Sequence, residues 1–250
     1  MSSQFTLSRV VLLAVSLFAA AAVHSAEAAT VTIVQDSFTG ASGSNDGRSP
    51  DVNLPGSVWQ ANGTHDGNWR DLNNNQVQLF QNTGAGISIV SAGSYTKPDV
   101  LNISVLFNLG NASTADDGHF ARGVALGFFS AMTSGQGTSG FTNFTGLVVY
   151  PTTGQLSLLV DGASTGLTAA YTGAWNSTSD HTLSYTVDLT TGSIGNILID
   201  GQSKTINTTA FNQTRTQLAG FYAVVLGGQS SFFDNFLLTT PAEVPEPSSA

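Results

Sequence analysis

From His181 to Gly201 the chain alternates strictly. Leu183, Tyr185, Val187 and Leu189 take one parity, and Thr182, Ser184, Thr186 and Asp188 take the other. Successive side chains of a strand point to opposite faces, so this stretch has one apolar and one polar face. Thr190-Thr191-Gly192-Ser193 interrupts the run, and Ile194 to Asp200 resumes it. Gly192 supplies the positive φ that a tight reversal needs. The spacing predicts a β-hairpin whose dry face requires a second sheet to cover it. Leu147 to Tyr150 and Gln155 to Asp161, joined by Pro151-Thr152-Thr153-Gly154, predict another hairpin of the same design.

Strand patterns fill the rest of the chain. Leu101, Ile103, Val105, Phe107 and Leu109 alternate cleanly, and Gly123 to Phe129 is apolar throughout, as a central strand would be. Val58 to Ala61 is a short strand, and His65 to Asn75 reads as a polar loop holding Trp69. Val77, Leu79, Ile87 and Ile89 read as a hairpin around residues 82–86. Residues 217–226 and 231–238 close the domain. All seven prolines fall outside these runs. With about a dozen strands and no helical period, the pattern predicts an all-β fold, a two-sheet antiparallel β-sandwich.

Composition narrows the function. Charged residues are 9% of the chain, so Ser, Thr, Asn, Gln and Gly must cover the surface. The formal charge of −9 and six scattered cations beyond Arg9 leave no basic patch for phosphates, which argues against nucleic acid as a partner. With no cysteine, disulfides and thiolate chemistry are excluded. Arg9, the apolar run Val10–Val23 and Ala26-Glu27-Ala28 form a secretory signal peptide over residues 1–28, cleaved after Ala28. The sandwich domain then spans 29–240 and a Pro-rich tail spans 241–250.

Three passages resemble a known family. Asp36-Ser37-Phe38, Gly47-Arg48-Ser49-Pro50-Asp51 and Val58-Trp59 are similar to the opening of exported bacterial domains of the concanavalin A-like (LamG/laminarinase-like) jelly roll. Phe232-Phe233-Asp234-Asn235-Phe236 resembles their final strand. Val244-Pro245-Glu246-Pro247-Ser248-Ser249 resembles the start of a PEP-CTERM sorting signal. The resemblance implies a jelly roll exported by a Gram-negative bacterium, secreted or held at the cell surface. It also implies association with exopolysaccharide, and contact with membrane sorting machinery through the tail.

Some jelly rolls hydrolyse glycans with paired carboxylates, which retaining chemistry holds about 5–5.5 Å apart. Here glutamate occurs only at 27, 243 and 246, so the folded body has none. Asp116 and Asp117 are adjacent and on a strand would face opposite ways. Asp66 and Asp71 share one loop. Gly135 to Gly140 matches a dinucleotide-binding glycine pattern but opens no helix. No catalytic residue is assigned.

Two binding sites are expected. Asp234 lies among phenylalanines, where a bare carboxylate is costly. In a jelly roll the first and last strands lie together, which would bring Asp36 to Asp234 as ligands of a structural Ca²⁺. Trp69, with Arg70 and Asp71, and Trp175, with Tyr171, combine aromatic faces with polar groups, the means by which sugars are held. Trp59 reads as core. The expected function is an exported, non-enzymatic carbohydrate-binding domain whose partner is extracellular polysaccharide. A structural or adhesive surface protein without a sugar site is the alternative, and a glycan hydrolase using aspartates a third.

Overall fold

The computed structural model describes residues 29–40, 43–63, 69–72, 75–80, 83–89, 96–110, 123–131, 143–211, 216–224 and 230–242. The expected signal peptide and residues 243–250 of the tail lie outside these, as do Asp66, Asp116, Asp117 and Gly135 to Gly140.

The described residues form sixteen strands and no helix. The first six are β1 (Thr30–Asp36), β2 (Val52–Asn53), β3 (Trp59–Gly63), β4 (Trp69–Leu72), β5 (Gln76–Phe80) and β6 (Thr83–Ser88). Next come β7 (Val100–Asn108), β8 (Gly123–Phe129), β9 (Phe144–Val149), β10 (Leu156–Val160) and β11 (Ala163–Ala169). The last five are β12 (His181–Asp188), β13 (Ser193–Ile199), β14 (Gln202–Lys204), β15 (Leu218–Val224) and β16 (Ser230–Pro241). They build two antiparallel sheets. The larger runs β14-β13-β12-β7-β16-β1-β2, with β5 and then β4 on the other half of the β16 edge. The smaller runs β11-β10-β9-β8-β15-β6-β3. This is the two-sheet sandwich that the alternation predicts.

Both expected hairpins form. β12 and β13 pair around Gly192 at φ +69°, and β9 and β10 pair around Gly154 at φ +65°. The expected pairing of residues 76–80 with 83–88 does not form. β5 joins β16 in the larger sheet, while β6 joins β15 and β3 in the smaller one, so the link between them changes sheets. Alternation gives a strand its faces but does not name its neighbour. Residues 69–72 are also a strand where a loop is expected: β4 pairs with β5, Trp69 opposite Leu79.

The core lies between the sheets and includes Trp59, Phe107, Leu126, Tyr185, Phe221, Phe233 and Phe236. A separate apolar cluster of Phe129, Phe144, Val148, Leu218 and Tyr222 lies on the opposite face of the smaller sheet. That explains why β8 and β9 are buried at every position. Across this face runs a row of glycines, one per strand: Gly86 opposite Gly220, Gly220 opposite Gly127, Gly127 opposite Gly146. A Cβ on Gly127 or Gly146 would come within 2.8 Å or less of the Phe144 ring tip and closer still to neighbouring carbonyls. The row is flat because the Phe144 ring and adjacent strands occupy the space side chains would need.

Candidate functional site

The larger sheet turns its apolar parity inward and its polar parity outward, and the register aligns the outward residues in rows. Leu237, Ser104, Ser184 and Leu198 form one row across β16, β7, β12 and β13. Two small serines between two leucines leave a hollow of about 210 Å³, lined also by Asn102, Asn196 and Thr239.

The next row forms one wall of that hollow and is a hydrogen-bonded ladder. Asn102 Nδ2 donates to Thr239 Oγ1 at 3.4 Å, Thr186 Oγ1 to Asn102 Oδ1 at 2.7 Å, and Asn196 Nδ2 to Thr186 Oγ1 at 3.2 Å. Along the opposite side, Asp234 stands across from Leu106 and Leu106 from Thr182, whose N–H donates to Asp200 Oδ1 at 2.8 Å. Leu198 at one end is 39% exposed. The groove thus joins hydroxyl and amide groups to an apolar rim and contains no Lys or Arg among its lining residues. Sequence periodicity shows this polar face, but the alignment of its rows depends on register across four strands.

A larger hollow of about 680 Å³ lies at the edge formed by Val31, Leu54, Pro98 and Pro241. Its lining joins these apolar groups to Thr96, Lys97, Asp99 and Thr240.

At the end of β12 a second cluster takes in Tyr171 and Trp175. His181 is buried, and its ring stacks on Trp175 at 3.9 Å between centroids and 15° between planes. A Cβ on Gly154 would lie 2.3 Å from Trp175 Cε3, with only indole atoms nearest to it, so Gly154 occupies the other indole face. Trp175 Nε1 donates to Pro151 O at 2.8 Å. This tryptophan pins the 170–180 segment to the β9–β10 turn and offers no open face for a sugar ring, unlike the role expected of it. Tyr171 remains half-exposed, its hydroxyl donating to Asp200 Oδ2 at 2.9 Å. Trp69, Arg70 and Asp71 lie on β4, separated from β12 by β5, β16 and β7.

Asp200 accepts from His181, Thr182 and Tyr171. Burial opposes its ionisation, but these hydrogen bonds outweigh burial and hold the carboxyl below the usual range. A depressed folded-state pKa stabilises the fold above the unfolded value near 4 and loses that contribution as pH falls through the folded value. Asp200→Asn is expected to melt lower than wild type at pH 6 and to lose less on acidification from about pH 4 to 2. Melting curves across that range check this; parallel pH profiles would contradict it.

Asp36 has a different role from the calcium ligand expected of it. It lies opposite Phe236 and faces inward, fully buried, whereas Asp234 faces outward from a bulge in β16. Arg48 donates to both Asp36 oxygens at 2.6 and 2.9 Å, Trp59 Nε1 to Oδ2 at 2.6 Å, and Phe38 N–H to Oδ1 at 2.9 Å. The carboxylate is spent on this ion pair. Among the described residues no three His, Cys, Asp or Glu cluster as a metal site. Burial first, then the Asp180 and Asp36 charges, push the Asp234 carboxyl up.

Asp234 and Asp200, the two carboxylates flanking the groove, are too far apart to act as a hydrolytic pair. They stand about three strand spacings apart, roughly 14 Å. Inverting chemistry holds its carboxyls about 6.5–9.5 Å apart and retaining chemistry closer. Asp180 stands in the row beyond, held by Asn108 Nδ2 at 3.0 Å.

No protein-family model matches the chain, and no curated protein matches its sequence. Solved structures are similar to it in fold. Arcelin-5, a lectin-like defense protein from Phaseolus vulgaris, aligns with a TM-score of 0.51 at 9% identity, over 72% of this chain and 91% of that one. The fold is a two-sheet antiparallel sandwich similar to that of arcelin-5. Trypanosoma rangeli sialidase aligns with a TM-score of 0.50 at 13% identity, over 83% of this chain but only 30% of the sialidase. The carbohydrate recognition domain of Emp47p aligns at 0.49 and 15% identity, over 81% and 95%. The concanavalin A-like architecture expected from the sequence is the architecture found. At these identities the likeness extends to the sandwich and not to any residue of a binding site.

Proposed function

We propose that this chain is an exported, non-enzymatic β-sandwich that binds extracellular polysaccharide through the outer face of its larger sheet. The supporting observation is the serine-floored groove between Leu198 and Leu237, walled by the Thr239–Asn102–Thr186–Asn196 ladder. Amides and hydroxyls exchange hydrogen bonds with sugar hydroxyls, and leucine side chains cover the apolar C–H faces of the ring. Tyr171, with its half-exposed ring near Lys204 and Gln202, is a flanking contact in this reading.

Export rests on the signal-like residues 1–28 and retention on the Val244–Ser249 motif, both read from sequence. They support a secreted or surface location in a Gram-negative bacterium and contact with a sorting system. A purely structural or adhesive role is the second reading, favoured by the covered faces of Trp175.

Pull-down on insoluble polysaccharides separates the two. Ser184→Tyr fills the hollow and Leu198→Ala removes one end, and each is expected to weaken binding about tenfold or more, the effect of losing a well-placed contact. Full binding by both variants would take the groove out of the account, and failure of wild type on every glycan would favour the structural role.

A further inference from the structure

Segment 170–180 leads from the edge of the smaller sheet to the start of β12 in the larger one. Side chains of the larger sheet hold it there. The Gln202 amide makes two bonds with the Thr172 backbone, accepting from its N–H at 3.0 Å and donating to its C=O at 3.0 Å. Leu109 N–H donates to Ser177 O at 3.1 Å. His181 is the one contact in this set whose chemistry changes near neutrality.

Its two ring nitrogens face two acceptors. Nδ1 lies 2.7 Å from Asp200 Oδ2, and Nε2 lies 2.7 Å from the backbone oxygen of Asn176. A carboxylate and a carbonyl can only accept, so both contacts are hydrogen bonds only when both nitrogens carry protons. The indole stacked on the ring also favours a cation there. A neutral imidazole must turn a lone pair toward one of the two oxygens, in a place where the ring is only 5% exposed.

We propose that His181 is a proton-operated latch on segment 170–180, closed while the ring is an imidazolium and loosened when it is neutral. The charges around it agree with this. Asp200 meets it from the β13–β14 turn, and Asp180 precedes it in the chain. Asp234 of β16 is coupled to Asp180. From β7 the ring meets the uncharged Phe107 at 5.6 Å, and from the segment itself it meets Trp175 and the Tyr171 ring. Lys204 of β14 lies over Tyr171 at 5.8 Å and bonds Thr172 and Gln202. Release loosens the ring that covers one face of Trp175, so acid tightens the start of β12 against segment 170–180 and mild base relaxes it.

Nitrogen-detected NMR of the His181 ring, with amide exchange on the full chain between pH 5 and 8, tests this. Both ring nitrogens are expected to carry protons at pH 5. The Thr172 and Leu109 amides, corrected for intrinsic exchange, are expected to lose protection about tenfold by pH 8, the effect of losing one buried hydrogen bond. Trp175 emission, quenched by the stacked cation, is expected to rise over the same range, and that rise is expected to vanish in Trp175→Phe. A singly protonated ring at pH 5, or unchanged protection of both amides, would overturn the latch. Asp200→Asn supplies a second check, because an amide can donate to a neutral ring nitrogen and the pH response should shrink. A response as large as wild type would count against the proposal.

Discussion

Asp36→Ala is expected to cost about 3–5 kcal/mol of folding stability, the usual penalty for removing one partner of a buried ion pair. The alanine would leave the Arg48 guanidinium without its two-point acceptor and the Trp59 N–H facing apolar rings. Trp59 is itself packed on Phe38, Phe221 and Phe236 at 5.2–5.6 Å, so the polar cluster sits where four aromatic side chains converge. Arg48 also lies over the Phe38 ring at 5.6 Å, and losing its anchor loosens the loop after β1. Urea unfolding at neutral pH measures the effect. A loss below about 1 kcal/mol would mean that Arg48 and Trp59 find water or other acceptors at little cost.

The second large effect is expected at the glycine row. A Cβ on Gly220 would lie 1.8 Å from the Ala85 carbonyl oxygen, and on Gly127 2.5 Å from that of Thr145. Backbone atoms in the middle of a sheet cannot move aside singly, so Gly220→Ala and Gly127→Ala should each lose about 1–3 kcal/mol or more through overpacking. Gly195→Ala on β13 is the control, since nothing lies within 4 Å of the added carbon. It should stay within about 0.5 kcal/mol of wild type. Equal melting temperatures for Gly195→Ala and Gly220→Ala would contradict the close approach of β6 and β15.

How much of this is legible in the sequence depends on the range of the interaction involved. Alternation at 181–201 and 101–109 reports the two faces of β12 and β7 directly, because side-chain parity is local. Gly192 and Gly154 mark their turns for the same reason. The partner of β5 is not local: Val77 and Leu79 alternate as well as Ile87 does, yet the two strands belong to different sheets. The glycine row shows only as scattered glycines until register aligns residues 86, 220, 127 and 146.

The candidate site divides in the same way. Asp36 and Asp234 are close in the fold, as the pairing of first and last strands implies. Parity turns them to opposite faces, however, and Arg48, twelve residues on, takes Asp36. Trp175 reads as an exposed loop aromatic because nothing local shows Gly154 and His181 closing on it. The Asn102–Thr186 ladder is visible only as two polar positions on two well-formed strands. His181 shows no partner in the sequence, since Asp200 reaches it only through the hairpin register.

The most direct test of the central claim is a titration of the isotope-labelled protein with a soluble polysaccharide, followed through its backbone amides. The account predicts that the shifted resonances cluster on β7, β12, β13 and β16, around Asn102, Ser104, Ser184 and Asn196. Shifts confined to the Val31–Leu54–Pro98 edge, or no shifts at millimolar glycan, would contradict it.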